Sequence, residues 1–298
     1  MFGPPQPMLI IANPIAGRRR PHLLWRVVDV LVQNGVRVEV AQTKRAGDAT
    51  AWARAAALAG TRVIVAAGGD GTIAEVANGI TGTESKLGII PQGTANVFAH
   101  EVGLPASAHE LAAALAFGRG RHVWPGHFVN GVRSGLFMQM LGVGFDAHVV
   151  HRLSPRLKRF TGRWAYVGQT MRELSRYRYH PIRLSLDGQP TEAASVVIAK
   201  GRFYGGPFLL APAADPGKPG FSVILFEHSG PAAALAYGAA LPLNRLSRSR
   251  GIRVAHAERI EFPDGARIPA QADGDAAGWA PSLVTDSPNQ IELVLPQR

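Results

Sequence analysis

Two periods of apolar residues alternate along the first 120 positions. Met8–Ala12, Val36–Val40, Val63–Ala67 and Leu87–Ile90 are short apolar runs of strand length. Between the first two, Leu23, Leu24, Val27, Val28 and Leu31 recur at helical spacing. Pro21 suits the first turn of that helix and Asn34-Gly35 its end. Asp48 is placed to cap an alanine-rich helix that runs to about Leu58. A helix begins near Thr72, another stretch runs through Phe98, and a third spans roughly Ser107 to Phe117. Strands alternating with helices predict a parallel sheet covered on both faces.

After Arg121 the pattern changes. Phe128–Val132, Leu136–Leu141, Ile182–Leu186, Ser195–Ala199, Phe221–Phe226, Ile252–Ala255, Arg267–Ala270 and Ile291–Leu295 read as strands. Turns such as Asp187-Gly188, Pro219-Gly220 and Asp264-Gly265 punctuate them. The expected fold is therefore α/β followed by all-β: a parallel-sheet domain over 1–120 and an antiparallel β-sandwich with inserted helices over 121–298. The insertion is Phe145 to Tyr179, largely helical. From Arg152 onward it carries Arg152, Arg156, Lys158, Arg159, Arg163, Arg172, Arg176 and Arg178 against the single acid Glu173. Phe160, Trp164, Tyr166, Val167, Met171, Leu174 and Tyr177 interleave with these cations. Such a surface suits an anionic bilayer or nucleic-acid phosphates, and equally a solvated basic face over an ordinary core.

Composition narrows this picture. The 298 residues are 46% hydrophobic, enough for substantial cores, and carry a formal charge of +11 that favours acidic partners. Cysteine is absent, which excludes disulfides and thiolate metal sites and fits a reducing compartment. No run approaches 18 apolar residues and no basic segment precedes an apolar one at the N-terminus. Neither a membrane span nor a signal peptide is expected. His148, His151, His228 and His256 lack ligand spacing, so no metal is assigned to them.

Candidate chemistry collects where the early strands end. Asn13, Thr43, Gly68 and Gln92 each open a polar or glycine-containing segment beyond a strand, and ligands of parallel sheets bind at that edge. Gly68-Gly69-Asp70-Gly71-Thr72 combines close backbone approach with free N–H groups at a helix start, as a phosphate cradle requires. Asn13 to Gly17 lacks the three-glycine dinucleotide fingerprint, and no Walker A lysine is present.

Asn13-Pro14 with Gly17, Gly68–Thr72 and Pro91-Gln92-Gly93-Thr94-Ala95-Asn96 together resemble the diacylglycerol-kinase catalytic family, the bacterial lipid kinases related to sphingosine and ceramide kinases. The resemblance continues through Gly142-Val143-Gly144-Phe145-Asp146, Tyr204-Gly205-Gly206 and Ala272-Asp273-Gly274-Asp275, and so spans nearly the whole chain. It implies ATP bound in a cleft between the two domains and γ-phosphoryl transfer to a lipid hydroxyl. It also implies that the last strand can return to the first domain. By resemblance, Thr43, the run Gly69, Asp70, Gly71, Thr72, Ile73, Ala74 and Glu75, and Thr94 match nucleotide-contacting positions. Asn13, Gly68, Gly93 and Asn96 belong to the same loops. Asp275 aligns with the general base, where glutamate is more usual, and Asp70 suits the positioning of phosphate and Mg²⁺.

Besides Asp275, the chain departs from the family at two further places. Lys218-Pro219-Gly220 replaces an acid-acid-glycine run in a loop that helps bind a structural Mg²⁺, leaving Asp215 as the one carboxylate candidate there. Lys200 stands where asparagine is common. The expectation is that the dedicated Mg²⁺ is absent or weak while a catalytic Mg²⁺ arrives with ATP. The expected activity is that of an ATP- and Mg²⁺-dependent kinase. Its acceptor is diacylglycerol or a related membrane lipid, met peripherally at the anionic inner face of the cytoplasmic membrane, with no nucleic-acid partner. A soluble small-molecule kinase and a catalytically silent nucleotide-responsive regulator are the alternatives.

Overall fold

The computed structural model describes residues 7–16, 21–131, 133–152, 163–174, 176–263 and 267–297. Gly17, Arg18 to Arg20, Val132, Arg156, Lys158, Arg159, Phe160 and the Asp264-Gly265 turn lie outside them, as do the side chains of Arg163, Trp164, Tyr166 and Val167. The chain divides into two compact units, Met1–Val123 with Pro288–Arg298, and Trp124–Ser287.

In the first unit the strands are β1 (Met8–Ala12), β2 (Val38–Gln42), β3 (Val63–Gly68), β4 (Lys86–Pro91), β5 (Arg119–Val123) and the C-terminal strand Ile291–Leu295. Among the described residues they form one six-stranded sheet, in the order β2, β1, β3, β4, C-terminal strand, β5. All run parallel except β5, which pairs antiparallel with the C-terminal strand. The sheet is therefore mixed rather than purely parallel. β5 carries two arginines and a histidine, and four of its five positions are exposed. An edge strand needs no apolar alternation, so the hydrophobic pattern did not reveal it.

Among the described residues five helices join these strands: α1 (Pro21–Gln33), α2 (Asp48–Leu58), α3 (Asp70–Ile80), α4 (Val97–Glu101) and α5 (Ala108–Phe117). Leu24, Val27 and Leu31 of α1 and Leu111 and Leu115 of α5 bury one sheet face over Ile10, Val65 and Ile90. Ile11, Ile64 and Ala66 alternate with that set along the strands and are equally buried, so they face the other side. There α2 and α3 pack on each other and on the strands. A Cβ at Gly79 of α3 would stand 2.6 Å from both Thr50 O and Ala53 Cβ of α2, so this helix pair requires glycine.

Asp48 does not cap α2 as expected. Its carboxylate turns back to accept the amides of Lys44 and Arg45, at 2.9 and 3.0 Å. Those two bonds hold its carboxyl below the ordinary carboxylate range. Glu75 caps the helix instead, its Oε2 accepting from Gly47 N and Ala49 N at 3.1 and 3.2 Å.

The second unit holds two sheets that are each six-stranded among the described residues, with every pairing antiparallel. One runs Gln189–Ala193, Ile182–Leu186, Ile260–Glu261, Leu283–Asp286, Gly126–Asn130, Arg133–Phe137. The other runs Ile252–Ala257, Phe221–Phe226, Ser195–Ala199, Met140–Val143, Pro269–Ala272, Asp275–Trp279. Ile182, Leu184, Ile260 and Val284 of the first meet Leu141, Val196, Ile198 and Val223 of the second in one core, the expected sandwich. Helices are inserted at Phe145–Arg152, Arg163–Glu173 and Pro231–Ala240. The apolar run Leu136–Leu141, expected as a single strand, is split. Arg133–Phe137 and Met140–Val143 belong to different sheets, because the amides between them serve a side chain instead of a ladder.

Candidate active site

Parallel pairing carries β3 and β4 to a common end, Gly68 opposite Pro91, and the amide of Gln92 donates to Gly68 O at 2.8 Å. The two loops beyond touch backbone to backbone. A Cβ on Gly93 would lie 2.5 Å from the Cα of Gly69, and one on Gly69 would lie 3.2 Å from the Cα of Gly93. A Cβ on Gly68 would collide with Thr72, 2.3 Å from its Oγ1. These glycines form a cradle that side chains would fill, at the N-terminus of α3.

Asp70 opens α3 but spends its carboxylate on the next loop. Oδ2 accepts from Val97 N at 3.1 Å and Oδ1 from Phe98 N at 3.0 Å, capping α4. Asn96 precedes that helix in the left-handed region, φ 47°, and its Nδ2 donates to Gly93 O at 3.0 Å. Its Oδ1 is buried with no hydrogen-bond partner among the described residues. A buried acceptor beside the glycine cradle fits a site that meets a donor from a ligand or from water.

Asn13 and Thr43 join the same edge. Asn13 Oδ1 accepts Ile15 N at 3.0 Å, shaping the first loop, and Nδ2 reaches Thr72 Oγ1 at 3.4 Å. Thr43 N donates to Ala12 O at 2.9 Å and its hydroxyl lies 3.5 Å from the same oxygen. Thr94 is exposed and Ala74 half-buried. Ile73 is fully buried in the core, so of its groups only the backbone is available to a ligand. Glu75 occupies its carboxylate at α2.

A second cluster lies within the sandwich unit. Asp273 adopts φ 49° at the tip of the hairpin from Pro269–Ala272 to Asp275–Trp279. Its carboxylate accepts three successive amides, Met138 at 2.6 Å and Gln139 and Met140 at 2.9 Å each. Gln271 is buried. It accepts Gly274 N at 2.7 Å and donates Nε2 to Asp146 Oδ2 at 3.0 Å. Tyr204 donates its hydroxyl to the other oxygen of Asp146. Burial pushes the Asp146 carboxyl up, against the pull of the Tyr204 and Gln271 bonds. A Cβ at Gly142 would lie 2.8 Å from both Asp146 Oδ2 and Gln271 Nε2, which explains that glycine. Asp275, the first residue of the outgoing strand, is exposed. A turn locked on both sides thus holds this residue at an exposed position. Gln271 and the nest of amides under Asp273 had no sequence signal, whereas Asp146 and Tyr204 lay in noted motifs without an assigned task.

Residues 7–126 match the family of the diacylglycerol kinase catalytic domain, and residues 139–295 match the YegS C-terminal NAD kinase beta sandwich-like domain. A diacylglycerol kinase of Mycobacterium tuberculosis (strain H37Rv) is 31% identical over 85% of this chain and 82% of its own length. The chain belongs to the diacylglycerol-kinase and YegS-like lipid-kinase family. Another member of this family, a diacylglycerol kinase of Bacillus subtilis (strain 168), is 28% identical over 97% of this chain and 96% of its own. A crystal structure of a diacylglycerol kinase from Bacillus anthracis shares the fold with a TM-score of 0.72, at 21% identity over 97% of this chain and 96% of that one.

The basic insertion is only partly a surface. Glu173, the one acid after Arg152 in it, is buried against His148 at 3.0 Å and Gln169 at 2.9 Å. Tyr177 packs on Phe145, His148 and Tyr179, and that burial pushes its hydroxyl up to about 12. Arg152, Met171, Arg172, Arg176 and Arg178 are exposed. Among the described residues no helix is long and apolar enough to cross a membrane.

The residues of the 215–220 loop do not fit a divalent ion. Asp215 Oδ1 accepts Gly217 N at 2.9 Å, while the ammonium of Lys218 stands 4.0 Å from its Oδ2. A second ammonium, that of Lys200, lies beneath the loop and bonds to its carbonyls. Among the described residues no group of three or more histidines and carboxylates is arranged to hold a metal.

Proposed function

We propose that this chain transfers the γ-phosphoryl group of ATP to the hydroxyl of a membrane lipid, diacylglycerol or a close relative, at the cytoplasmic face of the membrane. Relatives of both units carry the name diacylglycerol kinase, which favours that acceptor. The observation that carries the proposal is the division of labour among acids: Asp273 and Asp146 hold the hairpin, and Asp275 stands exposed on it.

In this reading the backbone of Gly68, Gly69, Gly71 and Gly93 lines the nucleotide phosphates, and the N-terminus of α3 favours their charge. Thr43, Thr72, Thr94 and Asn13 supply hydroxyl and amide groups around them. Asn96 Oδ1 meets a donor of the nucleotide or its waters. Mg²⁺ brought by ATP would neutralise charge between the phosphates, and Asp70, fixed by Val97 and Phe98, would orient its waters. Asp275 takes the proton of the lipid hydroxyl as its oxygen bonds to the γ-phosphorus, and ADP leaves with the electrons of the broken P–O bond. Aspartate is one methylene shorter than the usual glutamate, so it depends more heavily on a rigid turn.

The test is Asp275→Asn, with turnover and nucleotide affinity measured together. Turnover is expected to fall at least about a hundredfold, the lower range for losing a positioned base. Nucleotide affinity should be unchanged, and the variant should fold as the wild type does, because the residue lies at an exposed position. Undiminished turnover contradicts the role.

A further inference from the structure

Lys200, at the end of the strand Ser195–Ala199, is a fully buried lysine. Its side chain is 0% exposed, and its ammonium has three oxygen partners, one for each proton. Nζ donates to Lys218 O at 2.8 Å, to Gly220 O at 2.9 Å and to Asp286 Oδ1 at 2.7 Å. The other oxygen of Asp286 accepts Gly220 N at 2.5 Å. The Phe221 ring faces the ammonium with its centroid 5.0 Å away. Two carbonyls and a carboxylate converging on one buried point make a site of hard oxygen donors for a cation. Here a tethered ammonium fills it.

The partners are placed at both chain ends of the sandwich unit. Trp124, the first residue of the unit, donates its amide to Pro216 O of the same loop at 2.7 Å. Ser287, the last residue, follows Asp286 directly and donates its amide to Pro125 O at 2.8 Å. The loop therefore ties the segment entering the unit to the segment leaving it, and Lys200 holds the loop to Asp286.

We propose that the Lys200 ammonium is the built-in cation of the 215–220 loop, replacing a bound divalent ion and clamping the entry and exit segments of the unit. Lys200 and Lys218-Pro219-Gly220, far apart in sequence, are then one arrangement. Lys200 supplies the positive charge, and the loop, without its acid pair, supplies carbonyls. A divalent ion beside two ammonium groups would be repelled. The inference stands independently of the phosphoryl-transfer reading.

Two measurements on the full-length, nucleotide-free protein test it. The melting temperature of the wild type should be the same in EDTA and in excess MgCl₂. A saturable rise with Mg²⁺ that Asp215→Asn or Asp286→Asn abolishes would overturn the proposal. In Lys200→Met, amide exchange at Trp124, Gly220 and Ser287 should quicken at least about tenfold, as for loss of a buried charge-assisted network. Exchange in the paired strands Gln189–Ala193 and Ile182–Leu186 should stay as in the wild type. Extra exchange spread evenly over the unit, or none at these three amides, would contradict the clamp. If Lys200→Met does not fold, the wild-type Mg²⁺ comparison still decides.

Discussion

Asp273 removes three amide protons from the water they would otherwise need, and a methyl group cannot replace it. Asp273→Ala leaves Met138, Gln139 and Met140 N–H groups without their acceptor. Charge-assisted bonds of this kind are worth about 1.5–3 kcal/mol each and are not additive. We expect a loss of about 2–4 kcal/mol, read by denaturant unfolding, with activity lost alongside it. Asp275→Asn should lose activity alone. If Asp273→Ala proves as stable as the wild type, the nest does not hold the turn. The same logic separates Asp70 and Glu75, whose carboxylates serve the starts of α4 and α2. Sequence reading placed both near a nucleotide, and nothing in a sequence tells a carboxylate that touches phosphate from one that caps a neighbouring helix.

At the level of elements, the two phosphate-side loops depend on each other. Gly69 and Gly93 touch through bare backbone, so a side chain on either separates β3's turn from β4's. Gly93→Ala is expected to cost about 1–3 kcal/mol, as overpacking does, and to weaken nucleotide binding more than tenfold by calorimetry. Unaltered affinity would show that the cradle tolerates separation. The strands supporting these turns were legible because buried parallel strands are continuous apolar runs: Met8–Ala12, Val63–Gly68 and Lys86–Pro91. β5 was not, since an edge strand carries charge without penalty. Nor was the break after Phe137, since the acid that takes those amides lies more than 130 residues away. The link between Lys200 and the 215–220 loop was hidden for the same reason. Both stretches were visible in the sequence, but their contact is a tertiary fact.

Across the whole molecule, the motifs fall on two compact units, with a glycine cradle in one and an exposed Asp275 on a locked hairpin in the other. The formal charge of +11 and the exposed arginines of the insertion suit work against an anionic surface. Transfer of label from [γ-³²P]ATP, measured with a panel of membrane lipids in mixed vesicles and a panel of soluble alcohols, tests the central claim most directly. The account expects labelled product from diacylglycerol or a related lipid alcohol, abolished in Asp275→Asn. Label in a soluble alcohol with none in any lipid, or no transfer to either, would contradict it.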